Sequence, residues 1–96
     1  MDLKNQIELE LYFADHFDTV LFPVLADIYL KKNDLKRARK VCDIGLKHHK
    51  NDPAGLFILA QVSNIEGDYK EAEKLLEKVL IYSNLLDKAQ TFQKNF

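Results

Sequence analysis

The feature that most constrains this chain is an internal period of 34 residues. Sliding the sequence by that distance pairs Val24 with Ile58, Leu25 with Leu59, Ala26 with Ala60 and Ile28 with Val62. It also pairs Asp34 with Asp68, Leu35 with Tyr69, Ala38 with Ala72, Val41 with Leu75 and Leu46 with Leu80. Apolar positions stay apolar and small positions stay small. A fixed period of this length marks a stack of like supersecondary units, each too small to bury its apolar face alone.

Within each unit, alanine recurs at a spacing of twelve, Ala26 to Ala38 and Ala60 to Ala72, with a polar break between. Two antiparallel helices account for this, because small residues on facing sides let the axes approach closely while Leu, Ile and Val fill the surrounding gaps. The break must then be a tight turn. Asn33-Asp34 and Gly67-Asp68 supply it: Gly, or less easily Asn, accepts the left-handed conformation that ends a helix, and Asp caps the next one. Asp68 with Glu71 approximates a capping box, and Asp52-Pro53 is an N-cap followed by proline at the first helical position. The segment from Asp34 to Lys50 sets Leu35, Ala38, Val41, Cys42, Gly45 and Leu46 on one face and Lys36, Lys40, Lys47 and Lys50 opposite.

Composition supports the helical reading. The chain has 96 residues, 47% hydrophobic and 30% charged, enough for one domain with a modest core, and only 3 Gly and 2 Pro interrupt it. No apolar run approaches the roughly 18 residues of a membrane span, and the first residues carry carboxylates where a signal peptide would need lysines. The lone Cys42 cannot form an internal disulfide and suits a reducing compartment, so a cytoplasmic location is expected, with Cys42 a small core residue.

The segments "LADIYLKKNDLKRARKVCDIGLKHHKNDP" and "LAQVSNIEGDYKEAEKLLEKVL" resemble consecutive tetratricopeptide repeats. The family pattern of large, small, tyrosine, small, aromatic and small residues falls on Leu25, Ala26, Tyr29, Ala38, Cys42 and Gly45, then on Leu59, Ala60, Ser63, Ala72, Leu76 and Val79. The chain departs from the family at the tryptophan-like first position, which is Phe22 and Leu56, at Ser63 in place of tyrosine, and in the missing terminal prolines. The resemblance implies an all-α fold, antiparallel helix hairpins stacked as a short right-handed α-solenoid of about six helices. The expected divisions of this single domain are an N-terminal helix or half repeat in residues 1–18, repeats at 19–52 and 53–86, and a capping helix at 85–96. Leu3, Ile7, Leu11 and Ala14 are the predicted core stripe of the first helix, with Ile7 and Leu11 on the register positions of Val41 and Gly45; Leu85, Leu86, Ala89, Phe92 and Phe96 are that of the last.

No phosphate-binding loop, nucleophile elbow, HExxH helix or CxxC pair is present, so the sequence carries none of the usual signs of catalysis and no catalytic, cofactor-binding or metal residue is assigned. His48-His49 point about 100° apart on a helix and read as solvated helix-end residues rather than metal ligands. His16, beside Asp15 and Asp18, reads as a cap or turn residue. Net charge is −1, but residues 1–30 carry −5 and residues 31–50 carry +6. Arg37 and Arg39 flank the lysine stripe of residues 36–50, which could contact phosphates, yet no aromatic is interleaved for base stacking, and weak binding of nucleic acid or an acidic surface is the lesser reading.

By the resemblance, the first helix of each repeat lines a concave groove that binds another protein. Its positions here are Val20, Pro23, Asp27, Leu30 and Lys31, then Ala54, Phe57, Gln61, Asn64 and Ile65. Family members that grip a chaperone's carboxyl terminus use Lys and Asn in this groove, where Pro23 and Asp27 stand here, so that clamp is disfavoured. An apolar groove edged by amides suits an amphipathic or extended peptide segment. The alternative is a homo-oligomer, such as a dimer, assembled through the groove or the terminal helices.

Overall fold

A computed structural model describes the backbone of residues 1–94 and the side chains of residues 1–84. It is all-helical among the described residues: α1 (Gln6–Asp15), α2 (Phe22–Lys31), α3 (Leu35–His48), α4 (Pro53–Ile65) and α5 (Tyr69–Lys94). Five helices stand where about six were expected, because α5 runs unbroken through the point where a separate terminal helix was to begin. The stripe Leu85, Leu86, Ala89, Phe92 and Phe96 lies outside the described side chains. Among the described residues, no helix is long and apolar enough to cross a membrane.

Local chemistry sets the helix ends. Asn33 and Gly67 both have positive φ, 59° and 87°. Each is followed by the same pair of bonds: Asp34 N–H to the Tyr29 carbonyl and Asn33 N–H to Leu30, then Asp68 N–H to Ser63 and Gly67 N–H to Asn64. These satisfy carbonyls that the helix leaves orphaned. The Asp34 carboxylate accepts from Arg37 N–H, Asp68 from Glu71 N–H and Asp52 from Ala54 N–H, while the Asn5 side chain caps α1 through Glu8 N–H. Such caps contribute about 1 kcal/mol each.

α2 packs on α3 and α4 on α5, α4 leans on both α2 and α3, and α1 rests on α2. Ala26, Ala38, Ala60 and Ala72 are all buried. Phe22 is fully buried with its ring against two glycines: a Cβ on Gly45 would stand 2.1 Å from the ring, and one on Gly55 2.4 Å. Here glycine supplies room rather than an unusual φ. The Phe22 ring also stacks on His49, 6.2 Å between centroids, and His49 Nε2 donates to the Asp18 carbonyl at 2.6 Å. His49 is thus a half-buried tie between the end of α3 and the α1–α2 connector, and solvation describes His48 alone. His16 caps α1, its Nδ1 bonded to the Tyr12 carbonyl at 3.1 Å and its ring stacked on Tyr12.

α1 is rotated relative to the expectation. Leu9 and Phe13 are its buried residues, whereas Ile7 and Leu11 are 69% and 65% exposed, and Leu3 and Ala14 are exposed as well. The inward stripe mixes polar with apolar residues: Gln6 accepts from Lys32, Leu9 and Phe13 enter the core, and Glu10 accepts from the Tyr29 hydroxyl at 2.5 Å. A reading of apolar spacing alone misses such a face, because two of its members are held by polar partners on the next helix.

Candidate protein-interaction face

The α4 hairpin positions its outer residues through the buried side of the helix. Leu56, Leu59, Ala60 and Val62 face the core, so Ala54, Phe57, Asn64 and Ile65 are left exposed, with Gln61 half-buried between them. Phe57 is 46% exposed. A depression of about 370 Å³ opens beside it, lined by Phe57, Ala60, Gln61 and Asn64 of α4 and by Ala72 and Leu76 of α5. Of the α4 positions read from the sequence, Phe57, Gln61 and Asn64 line this depression together, and Leu76 joins them.

The expected α2 positions do not join this depression. Val20 is exposed in the α1–α2 connector, and Leu30 is half-buried. Asp27 and the exposed Lys31 pair with each other at 2.8 Å, four residues apart on one helix. Pro23 is buried at the start of α2.

The basic segment is less free than its composition suggests. Arg39 reaches across to α4 and α5: Nη2 donates to Glu66 Oε1 at 2.7 Å and to Ser63 Oγ at 3.1 Å, and both terminal nitrogens approach the Glu71 carboxylate at 3.4 to 3.5 Å. Burial works against this charge, but the hydrogen bonds it donates to Glu66 and Glu71 more than offset that and hold the guanidinium pKa above its ordinary value. Ser63, fully buried, is satisfied by this contact, and Glu71 serves Arg39 instead of completing a capping box. Arg37 lies 3.6 Å from Asp34 and 5.9 Å over the Tyr29 ring. Lys36, Lys40, Lys47 and Lys50 remain an exposed row.

Two further depressions have no mark in the sequence. One, about 290 Å³, lies among Phe13, Phe17, Tyr29, Val41 and Ile44 with Arg37 and Lys40 at its edge. The other, about 440 Å³ and wide open, lies on α1 beside Leu11, Tyr12 and the acids Glu8 and Asp15. Their linings come from residues distant in sequence or from the α1 face assigned to the core. Cys42 is fully buried, and burial pushes its thiol pKa up to about 12, which favours the neutral thiol. Set against family models, curated proteins and solved structures, the chain matches none.

Proposed function

We propose that this chain is a non-catalytic interaction module of tetratricopeptide type, binding an apolar or amphipathic segment of another protein at the α4 face around Phe57. The carrying observation is Phe57 itself, an aromatic left half in solvent at the mouth of an apolar depression edged by Gln61 and Asn64. Buried aromatic anchors carry much of the energy of protein interfaces, and apolar pockets with a few placed polar groups suit ligand binding. The repeated turn chemistry at Asn33 and Gly67 and the buried alanine pairs support a stack of two like units, extended at its N-terminal side by α1. The buried lone Cys42 is compatible with a reducing compartment such as the cytoplasm.

The test is a peptide selected from a random library against the wild-type protein. Phe57→Ala should weaken its binding by about 2 kcal/mol with circular dichroism unchanged. Equal affinity for wild type and variant would remove the face from consideration.

A second reading has its own support in the exposed stripe Leu3, Ile7 and Leu11 of the N-terminal segment, which could join two copies into a homo-oligomeric structural unit. Light scattering over a concentration series separates the two, since self-association would double the mass and Ile7→Glu would abolish it. Nucleic-acid binding draws less support, because Arg39 is committed to Glu66 and Glu71.

A further inference from the structure

The 34-residue register sets each residue of α3 against one of α5, and their surroundings differ. Cys42 is fully buried, and Leu46 lies so near α4 that a Cβ on Gly55 would stand 3.3 Å from its Cδ2. Their counterparts Leu76 and Leu80 are 43% and 65% exposed, and Tyr69, the counterpart of half-buried Leu35, is 68% exposed. Spacings of seven and four put Tyr69, Leu76 and Leu80 on one stripe of α5, continuous with the depression beside Phe57. What covers this surface in the first unit is a helix, α4.

Charge specifies what kind of helix the second copy of the surface takes. In the first unit Arg39 edges the covered stripe and is met by Glu66 at the C-terminal end of α4. Its register counterpart is Glu73, and Glu77 follows one turn on; both are exposed along the same edge of the open stripe. The sign is reversed. We propose that the stripe Tyr69, Leu76 and Leu80 seats an amphipathic helix of a partner protein that presents a small residue to Leu80 and, about three turns further on, an Arg or Lys to Glu73. This deepens the interaction-module reading and rests on it. A second copy is a poorer occupant through its exposed α1 stripe, since that segment is acidic and would bring Glu8 and Asp15 toward Glu73 and Glu77.

The probes are two synthetic peptides of residues 53–66 carrying Phe57→Gln and Ile65→Gln for solubility, one keeping Glu66 and the other with Glu66→Arg. Calorimetric titration of the full chain should show the arginine peptide binding about tenfold more tightly than its glutamate twin, a preference that shrinks with added salt. Glu73→Arg should invert the order, and Leu76→Glu, at an exposed position, should abolish both without changing the melt. Equal affinities for the two peptides would overturn the charge rule. Binding by neither, while a library-selected peptide still binds through Phe57, would overturn the proposal and leave the interaction module standing; failure of both would remove the two together. A doubled mass in light scattering, lost in Leu76→Glu, would show that a second copy occupies the stripe and overturn it as well.

Discussion

The two 34-residue units solve one packing problem with different side chains. At the head of the first unit stands Phe22, and the register position where its ring needs room is Gly45; the second unit has the smaller Leu56 and the larger Val79 at those places. Volume given up in one helix is taken back in its neighbour, as close packing requires. The buried polar position differs in the same way. Tyr29 reaches back to Glu10 of α1, whereas Ser63, too short to reach, receives Arg39 from α3. Each unit is thereby tied to the element before it. The large contrast lies on the far side, where the first unit is covered by α4 and, among the described residues, Tyr69, Leu76 and Leu80 of the second stay exposed. A repeat pattern therefore fixes which positions are large or small, while the contacts between units are free to change sign and partner.

The strongest way to break the comparison is at Phe22. Phe22→Ala should cost about 3 to 5 kcal/mol, because a fully buried ring leaves a cavity bounded by two glycines that cannot refill it. Gly45→Val should cost about 3 kcal/mol by overpacking the same site. Adding Phe22→Leu should recover most of that loss, since the pair then reproduces Leu56 and Val79. Denaturant melts of these variants and of Phe22→Leu alone decide it, and simple additivity of Phe22→Leu and Gly45→Val would show that the volumes are not exchanged.

A smaller effect sharpens the open-versus-covered contrast. Leu46→Ala should cost about 1 to 3 kcal/mol, whereas Leu80→Ala at the corresponding position should stay within about 0.5 kcal/mol. Equal losses would mean that the α5 stripe is buried in solution.

Smallest is a pH effect confined to the first unit. Burial, then the hydrogen bond to Glu10, raise the Tyr29 pKa from 10.0 to about 12. Its neutral form is the one favoured by folding, so its contribution is complete below pH 10 and is lost as pH rises toward 12. Buried Cys42, raised from 9.0 to about 12, acts in the same direction. Tyr29→Phe should flatten the alkaline fall in stability between those limits, while Ser63→Ala, with no titrating group, should leave its slope unchanged.

What the sequence made legible is what neighbouring residues decide. The turns at Asn33 and Gly67 and the Asp caps follow from residues a few positions apart, and the buried alanines follow from the 34-residue period. The inward face of α1 was not legible, because Gln6 and Glu10 are held by Lys32 and Tyr29 on the next helix. Nor was the Arg39 clasp: within a run of basic residues nothing local marks the one whose acids lie 27 and 32 positions away. On the candidate face, Phe57, Gln61 and Asn64 could be read from helical spacing, but Leu76 could not, since the pattern that assigns it to a repeat core presupposes a following helix.

Whether the α5 stripe stands open in the free chain is the question on which the account turns. Methyl-labelled protein, titrated with a soluble paramagnetic agent and observed by NMR, answers it directly. The Leu76 and Leu80 resonances should broaden strongly, while those of Leu46 and Leu59 persist at the same concentration. Protection of Leu76 and Leu80 equal to that of Leu46 would contradict the account, because the face assigned to a partner would then already be closed.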